Sequence, residues 1–238
     1  MYWFSAIGQR TAWLFVKPLF HFFLHLRVLG KENIKGSKDP VILAVNHISE
    51  LDGPMLPVSI DFFSPLLPII FVSLEKKRYK GNYYPSFIYS TIVFRLVGMY
   101  PATIGLKNYE RSLATHINFL KKGVSVAIFL EGKCKTSTSV QKVKGGVIEL
   151  VKQTGCPVIP VAISGHYLSK RKDFFFRKKH SILSFGKPIL KEEIFEGYEN
   201  ISYSNYENIA KEKIMVKIES LLDGHVKERA SRGVREKS

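Results

Sequence analysis

The sequence predicts an α/β fold: a largely parallel sheet flanked by helices, preceded by an N-terminal membrane-associated helical segment. Three observations predict it. Five short apolar runs rich in β-branched residues recur after residue 40, as buried strands do. Stretches of helix length separate them, which implies βαβ crossovers. The first 29 residues have a different character, aromatic and repeatedly interrupted by cations.

In residues 1–29, Trp3, Phe4, Trp13, Leu14, Phe15, Leu19 and Phe20 are broken by Arg10, Lys17, Pro18, His21, His25 and Arg27. A spanning helix needs about 20 mostly apolar residues, and this stretch is interrupted too often. No small-residue cleavage site follows a compact apolar core, so it does not read as a signal peptide. Pro18 predicts a break into two short helices. Trp and Phe beside Arg and Lys suit helices lying among lipid headgroups, with Trp3, Phe4 and Trp13 as membrane contacts. Packing against the protein's own core is the other reading.

Residues 30–222 carry the α/β pattern. Strands are predicted at 41–45, 69–73, 124–129, 158–163 and 182–185, and helices at about 53–62, 85–96, 107–121 and 145–154. Leu113, Ile117 and Leu120 fall at helical spacing, and Gly123 is a C-terminal stop. A last helix, 205–222, has Ile209, Ile214, Ile218 and Leu221 on one face. Residues 223–238 form a polar, mixed-charge tail expected to be loose.

A net charge of +16 favours an anionic partner: nucleic acid, anionic lipid or a phosphate-bearing substrate. No nucleic-acid-binding motif appears, which argues against the first. The densest basic stretches are 75–80 and 170–179. In the second, Phe174, Phe175 and Phe176 are flanked by cations, as in a loop that dips into a membrane surface of anionic lipid. Two cysteines provide neither a disulfide framework nor a zinc spacing, and no metal is implied.

The candidate chemistry lies just after the first predicted strand. His47 and Asp52 are five residues apart, about 140° around an ideal helix. They meet most easily if His47 lies in the turn before a helix and Asp52 in its first turn. A carboxylate on one imidazole nitrogen fixes the tautomer and leaves the other as a base towards a hydroxyl. Further along, the strand at 124–129 exits into Glu131, Gly132 and Lys133, which place a carboxylate, a close-approach glycine and a phosphate-compatible cation at a strand's carboxyl end. The run 155–163, with two prolines, reads mainly as scaffold, Pro160 shaping a pocket wall.

In this order, these segments resemble the glycerolipid acyltransferase family typified by 1-acyl-glycerol-3-phosphate acyltransferase. Its first motif, NHxSxxD, is met by Asn46, His47, Ser49 and Asp52. Its third, usually FPEGTRS, is partly met by Phe129, Glu131 and Gly132, and its fourth, VxPVxI, by Val158, Pro160, Val161 and Ile163. Lys144 with Gly145 and Gly146 resembles the family's basic-glycine step. The resemblance runs over residues 41–165. It implies an enzyme that moves a fatty acyl group from acyl-CoA or acyl-carrier protein to the hydroxyl of a lysophospholipid. The foremost acceptor is 1-acyl-glycerol-3-phosphate, giving phosphatidic acid; a different lysolipid, or a non-catalytic lipid-binding role, are the alternatives. His47 and Asp52 would be catalytic. Asn46, Ser49, Glu131, Gly132, Lys133 and Lys144 would bind substrate, without a bound cofactor, at the cytoplasmic face of a membrane. The chain departs from the pattern in two places. No basic residue stands between Gly98 and Lys107, where the family carries an Arg, and Leu130, Lys133 and Cys134 replace the usual Pro, Thr and Arg. Lys107, Lys133, Lys135 or Lys144 would then serve as point charges in place of a bidentate Arg.

Overall fold

Apolar and aromatic residues spaced around every side of the first segment make a single helix, α1 (Trp3–Leu24), in a computed structural model that describes residues 2–73, 91–103, 108–132, 143–166 and 180–235. The basic stretches 75–80 and 170–179, with Phe174, Phe175 and Phe176, and Lys107, Lys133 and Lys135 lie outside the described residues. Pro18 does not split α1, contrary to expectation. It sits on the exposed side, and the helix is held on both sides of it, by Gln9 and Trp13 before and by buried Phe20 and Leu24 after.

The five predicted strands form, each within two residues of its expected start, and two three-residue strands join them. In chain order they are β1 (Arg27–Leu29), β2 (Ile42–Val45), β3 (Ile70–Ser73), β4 (Met99–Pro101), β5 (Val126–Phe129), β6 (Val158–Ser164) and β7 (Ile182–Phe185). The sheet order is β1-β7-β6-β2-β5-β3-β4. Strands β6, β2, β5, β3 and β4 are parallel, whereas β7 runs antiparallel to β6 with β1 parallel to it at the edge. The unanticipated strands, β1 and β4, are edge strands and only partly buried, so neither has the continuous apolar run of the central ones.

The helices cover both faces. One face carries α1 and α2 (Asp52–Ser59), over a cluster that includes Leu43, Val45, Met55, Leu56, Ile69 and Ile159. The other carries α4 (Tyr109–Lys121) and α5 (Gly146–Thr154) over Ile42, Ala44, Ile128, Val147 and Val158. Helix α3 (Thr91–Val97) precedes β4, and α6 (Lys191–Phe195) follows β7. A short α7 (Tyr206–Ile209) passes through a π-helical turn, Ala210–Met215, into α8 (Val216–Arg235). Contrary to the expectation of a loose tail from 223, the last helix runs to Arg235. It is held by His225, which is buried against Ser164 and Ser184, and by a pair between Glu228 and Arg27.

Helix α1 is tied to the domain by polar groups. The Gln9 amide donates to Ile69 O at 2.6 Å and Val97 O at 3.1 Å and accepts from Ile69 N at 2.9 Å. Ser5 donates to Arg95 O, and the Trp13 indole donates to Ile60 O at 2.9 Å. Its outward side is the apolar one: Trp3, Phe4, Ile7, Leu14, Phe15, Leu19 and Phe22 are all exposed. Among the described residues no helix is long and apolar enough to cross a membrane.

Candidate active site

Register places the site. Val45, the last residue of β2, lies opposite Phe129, the last of β5, and opposite Val161 of β6, which runs three residues further to Ser164, so the residues that follow β2 and β5 meet beside the end of β6. Ligands bind at this end in open α/β sheets. Asn46, first after β2, extends the β2–β6 ladder with its side chain: its amide donates to Ile163 O at 2.9 Å and accepts from Ile163 N at 2.7 Å. It is 1% exposed, with both polar atoms so occupied. The motif reading put Asn46 among substrate-binding residues; its contacts here are those of a joint between two strands.

His47 then lies in the turn and Asp52 in the first turn of α2, as the spacing required. His47 Nδ1 is 2.7 Å from Asp52 Oδ2. A carboxylate only accepts, so Nδ1 carries the proton and Nε2 presents a lone pair. Asp52 is fully buried. Its Oδ2 also accepts from the backbone N–H groups of Ile48 (2.7 Å) and Ser49 (2.9 Å). Burial by itself would push the Asp52 carboxyl up. The hydrogen bonds from His166 and His47, with their charges, outweigh this and hold it below the usual carboxylate range. The His47 ring also stacks on Phe129 at 4.2 Å between centroids, so its plane is set from two directions.

The remaining predicted residues are placed differently from one another. Glu131 is buried and its Oε2 accepts the His47 backbone N–H at 3.2 Å, which brings it into the site as a support for the turn that carries His47. The Ser49 hydroxyl accepts from Leu51 N at 3.0 Å and shapes the turn into α2. Gly132 is an exposed turn residue with φ +66°, a conformation that favours glycine. Lys144 lies beside Gly132, and its Nζ is 3.5 Å from Glu207 on α7. Lys133 lies outside the described residues. Trp13, expected at a membrane, instead turns inward onto Ile60 and packs edge-on against Phe62. A hollow of about 260 Å³ between Lys31, Ile34, Phe62 and Phe63 lies at the far end of α2, away from this chemistry.

One residue of the site was missed. His166, two residues past β6 and fully buried, has its Nε2 2.8 Å from Asp52 Oδ1. Its only signal was a histidine at the carboxyl end of a buried strand.

The acyltransferase family model matches residues 25–164, more than half of the chain and everything from β1 to the end of β6. The chain belongs to the acyltransferase family. A probable 1-acyl-sn-glycerol-3-phosphate acyltransferase of Mycoplasma genitalium is 22% identical over 176 residues, 72% of this acyltransferase chain and 59% of that protein. The chain thus spans little more than half the length of that curated relative. The crystal structure of the 1-acyl-sn-glycerophosphate (LPA) acyltransferase PlsC from Thermotoga maritima superposes with a TM-score of 0.61 at 21% identity, over 90% of this chain and 79% of that one. At that identity the likeness is one of fold: a mostly parallel seven-stranded sheet between helices.

Proposed function

We propose that this acyltransferase moves a fatty acyl group from an acyl thioester, acyl-CoA or acyl-carrier protein, to the hydroxyl of a lysophospholipid, with 1-acyl-glycerol-3-phosphate the foremost acceptor and phosphatidic acid the product. The observation that carries the reading is the 2.7 Å bond from His47 Nδ1 to a fully buried Asp52, inside the family match. His47 Nε2 takes the proton of the acceptor hydroxyl as its oxygen attacks the thioester carbonyl. The carbon–sulfur bond then breaks, and the departing thiolate takes that proton back from the imidazolium. Asp52 holds the ring and stabilises its cation. Neither acyl-enzyme nor bound cofactor enters this scheme.

The outward apolar side of α1 supports a membrane surface as the place of work. A helix that turns Ser5 and Gln9 inward and Trp3, Phe4, Ile7 and Phe15 outward is apolar on its free side. The +16 charge favours an anionic leaflet, as on the cytoplasmic face. Lys144 bonded to Glu207, and the lack of a basic residue from Gly98 to Ile104, favour an acceptor held differently from the family's usual one, and a different lysolipid is the second reading.

The test is thioester consumption by wild type and His47→Ala with lysophosphatidic acid, lysophosphatidylethanolamine and a lyso-aminolipid without phosphate. Turnover that needs one acceptor and needs His47 supports the proposal and names the acceptor. Thioester loss without any acceptor, or an active His47→Ala, overturns it.

A further inference from the structure

Resting on that reading, we propose that His166 is a positioning residue for the catalytic base: it shares Asp52 with His47, and so turns a His–Asp pair into a His–Asp–His relay of contacts. The inference rests on geometry. The two histidines take different oxygens of one carboxylate, His47 Nδ1 on Oδ2 at 2.7 Å and His166 Nε2 on Oδ1 at 2.8 Å, and both Asp52 and His166 are fully buried. His166 lies just beyond the last residue of the family match, Ser164.

The terminal torsion of an aspartate is broad, so bonds to one oxygen alone leave the other free to swing. Here Oδ2 has three donors, from His47, Ile48 and Ser49, and Oδ1 has His166. A donor on Oδ1 locks the carboxylate plane and keeps Oδ2 on His47. Asp52 only accepts, so Nε2–H of His166 faces it. Nδ1, buried and without a partner among the described residues, then holds a lone pair. Among the described residues, the other titratable groups at the pair are His47 itself and Glu131, which reaches the His47 backbone.

The segment that delivers His166 is fixed from both sides. Ile163 is bound to the Asn46 side chain, and Ser164 Oγ is 2.8 Å from His225 Nδ1, whose Nε2 is 2.6 Å from Ser184 Oγ. Strand β6 thus ends in a clamp between β2, β7 and α8, and His166 leaves that clamp directly over Asp52.

The experiment compares wild type with His166→Leu, which removes the donor, and His166→Gln, which can return an N–H to Oδ1. Each is assayed for kcat, KM and the pH profile of kcat/KM. In parallel, the titration of the His47 ring is followed by NMR, which needs no substrate. Loss of one charge-assisted hydrogen bond is roughly a ten-fold effect. In His166→Leu, kcat should fall about ten-fold with KM unchanged, and the acid limb of the profile should move up by about one pH unit. A carboxylate with one donor fewer holds a proton, or an imidazolium beside it, more tightly. The NMR titration should shift the same way, and His166→Gln should recover most of both. Wild-type kcat and profile in His166→Leu overturn the proposal, as does a loss that follows only the folded fraction with the His47 titration unmoved. If wild type transfers no acyl group to any lysolipid, the functional reading fails by itself, and the NMR arm still decides for or against His166.

Discussion

Asp52→Asn probes the site at the atom through which its contacts run. The carboxylate is fully buried and accepts four hydrogen bonds, from His47, His166 and the backbone of Ile48 and Ser49. An asparagine keeps the shape but has one acceptor and one donor end. Three donors converge at the Oδ2 position, so the carbonyl must face them and the NH₂ must face His166. His166 must then accept at Nε2 and carry its proton on Nδ1, where no partner exists among the described residues. A buried N–H left unpaired costs about 1–3 kcal/mol, and stability at neutral pH should fall by that order in urea unfolding. The effect on turnover should be larger. His47 loses an ionised partner and its imidazolium loses its stabilisation, so kcat should drop on the order of 10³–10⁴-fold. The pH dependence has a definite sign. Asp52 is held below the usual carboxylate range when folded, because the hydrogen bonds from its two histidines outweigh burial. Its stabilisation is therefore full above the unfolded value and is lost as pH falls through the folded one. In Asp52→Asn that acid-side loss should shrink. A variant that keeps a tenth or more of wild-type kcat, or that unfolds with unchanged acid sensitivity, would refute the reasoning.

Three further outcomes follow from the same structure. Asn46→Ala leaves the buried N–H and C=O of Ile163 unpaired, and unfolding free energy should fall by about 2–5 kcal/mol; a loss below about 0.5 kcal/mol would show that water repairs the joint. Gly98→Ala, at φ +85°, sets a Cβ 2.4 Å from Ile69 O and 2.5 Å from Gln9 Nε2. It should destabilise the protein by at least about 2 kcal/mol and loosen α1 in hydrogen exchange. Replacing exposed Trp3, Phe4 and Phe15 by Ser should leave the thermal melt unchanged and weaken sedimentation with anionic vesicles about ten-fold per residue. Undiminished binding would remove α1 from the membrane contact.

How much of this was readable beforehand depends on sequence distance. The turn-then-helix placement of His47 and Asp52 is a local matter, decided by the six residues between a buried strand and a helix start, and it emerged as anticipated. The strands and most helices were readable for the same reason, as periodic runs. Pro18 misled because the cost of a proline in a helix depends on what packs beside it, here Gln9 on Ile69 and Phe20 and Leu24 in the core. The end of the last helix misled because its hold is tertiary: His225 is polar in sequence, and only the meeting of β6 and β7 supplies its two serines. His166 is the sharpest case. It stands 114 residues from Asp52, and no periodicity links them. What joins them is the sheet order, β6 beside β2, together with a register in which β6 runs three residues past the end of β2, alongside the segment that leads to Asp52. Asn46, which the motif suggested as a substrate contact, is the residue that makes this junction, through both atoms of its amide on Ile163. The motif's first letter and the unmotifed histidine therefore do connected work: one joins the strands, and the other uses the junction to reach the carboxylate that holds the His47 ring.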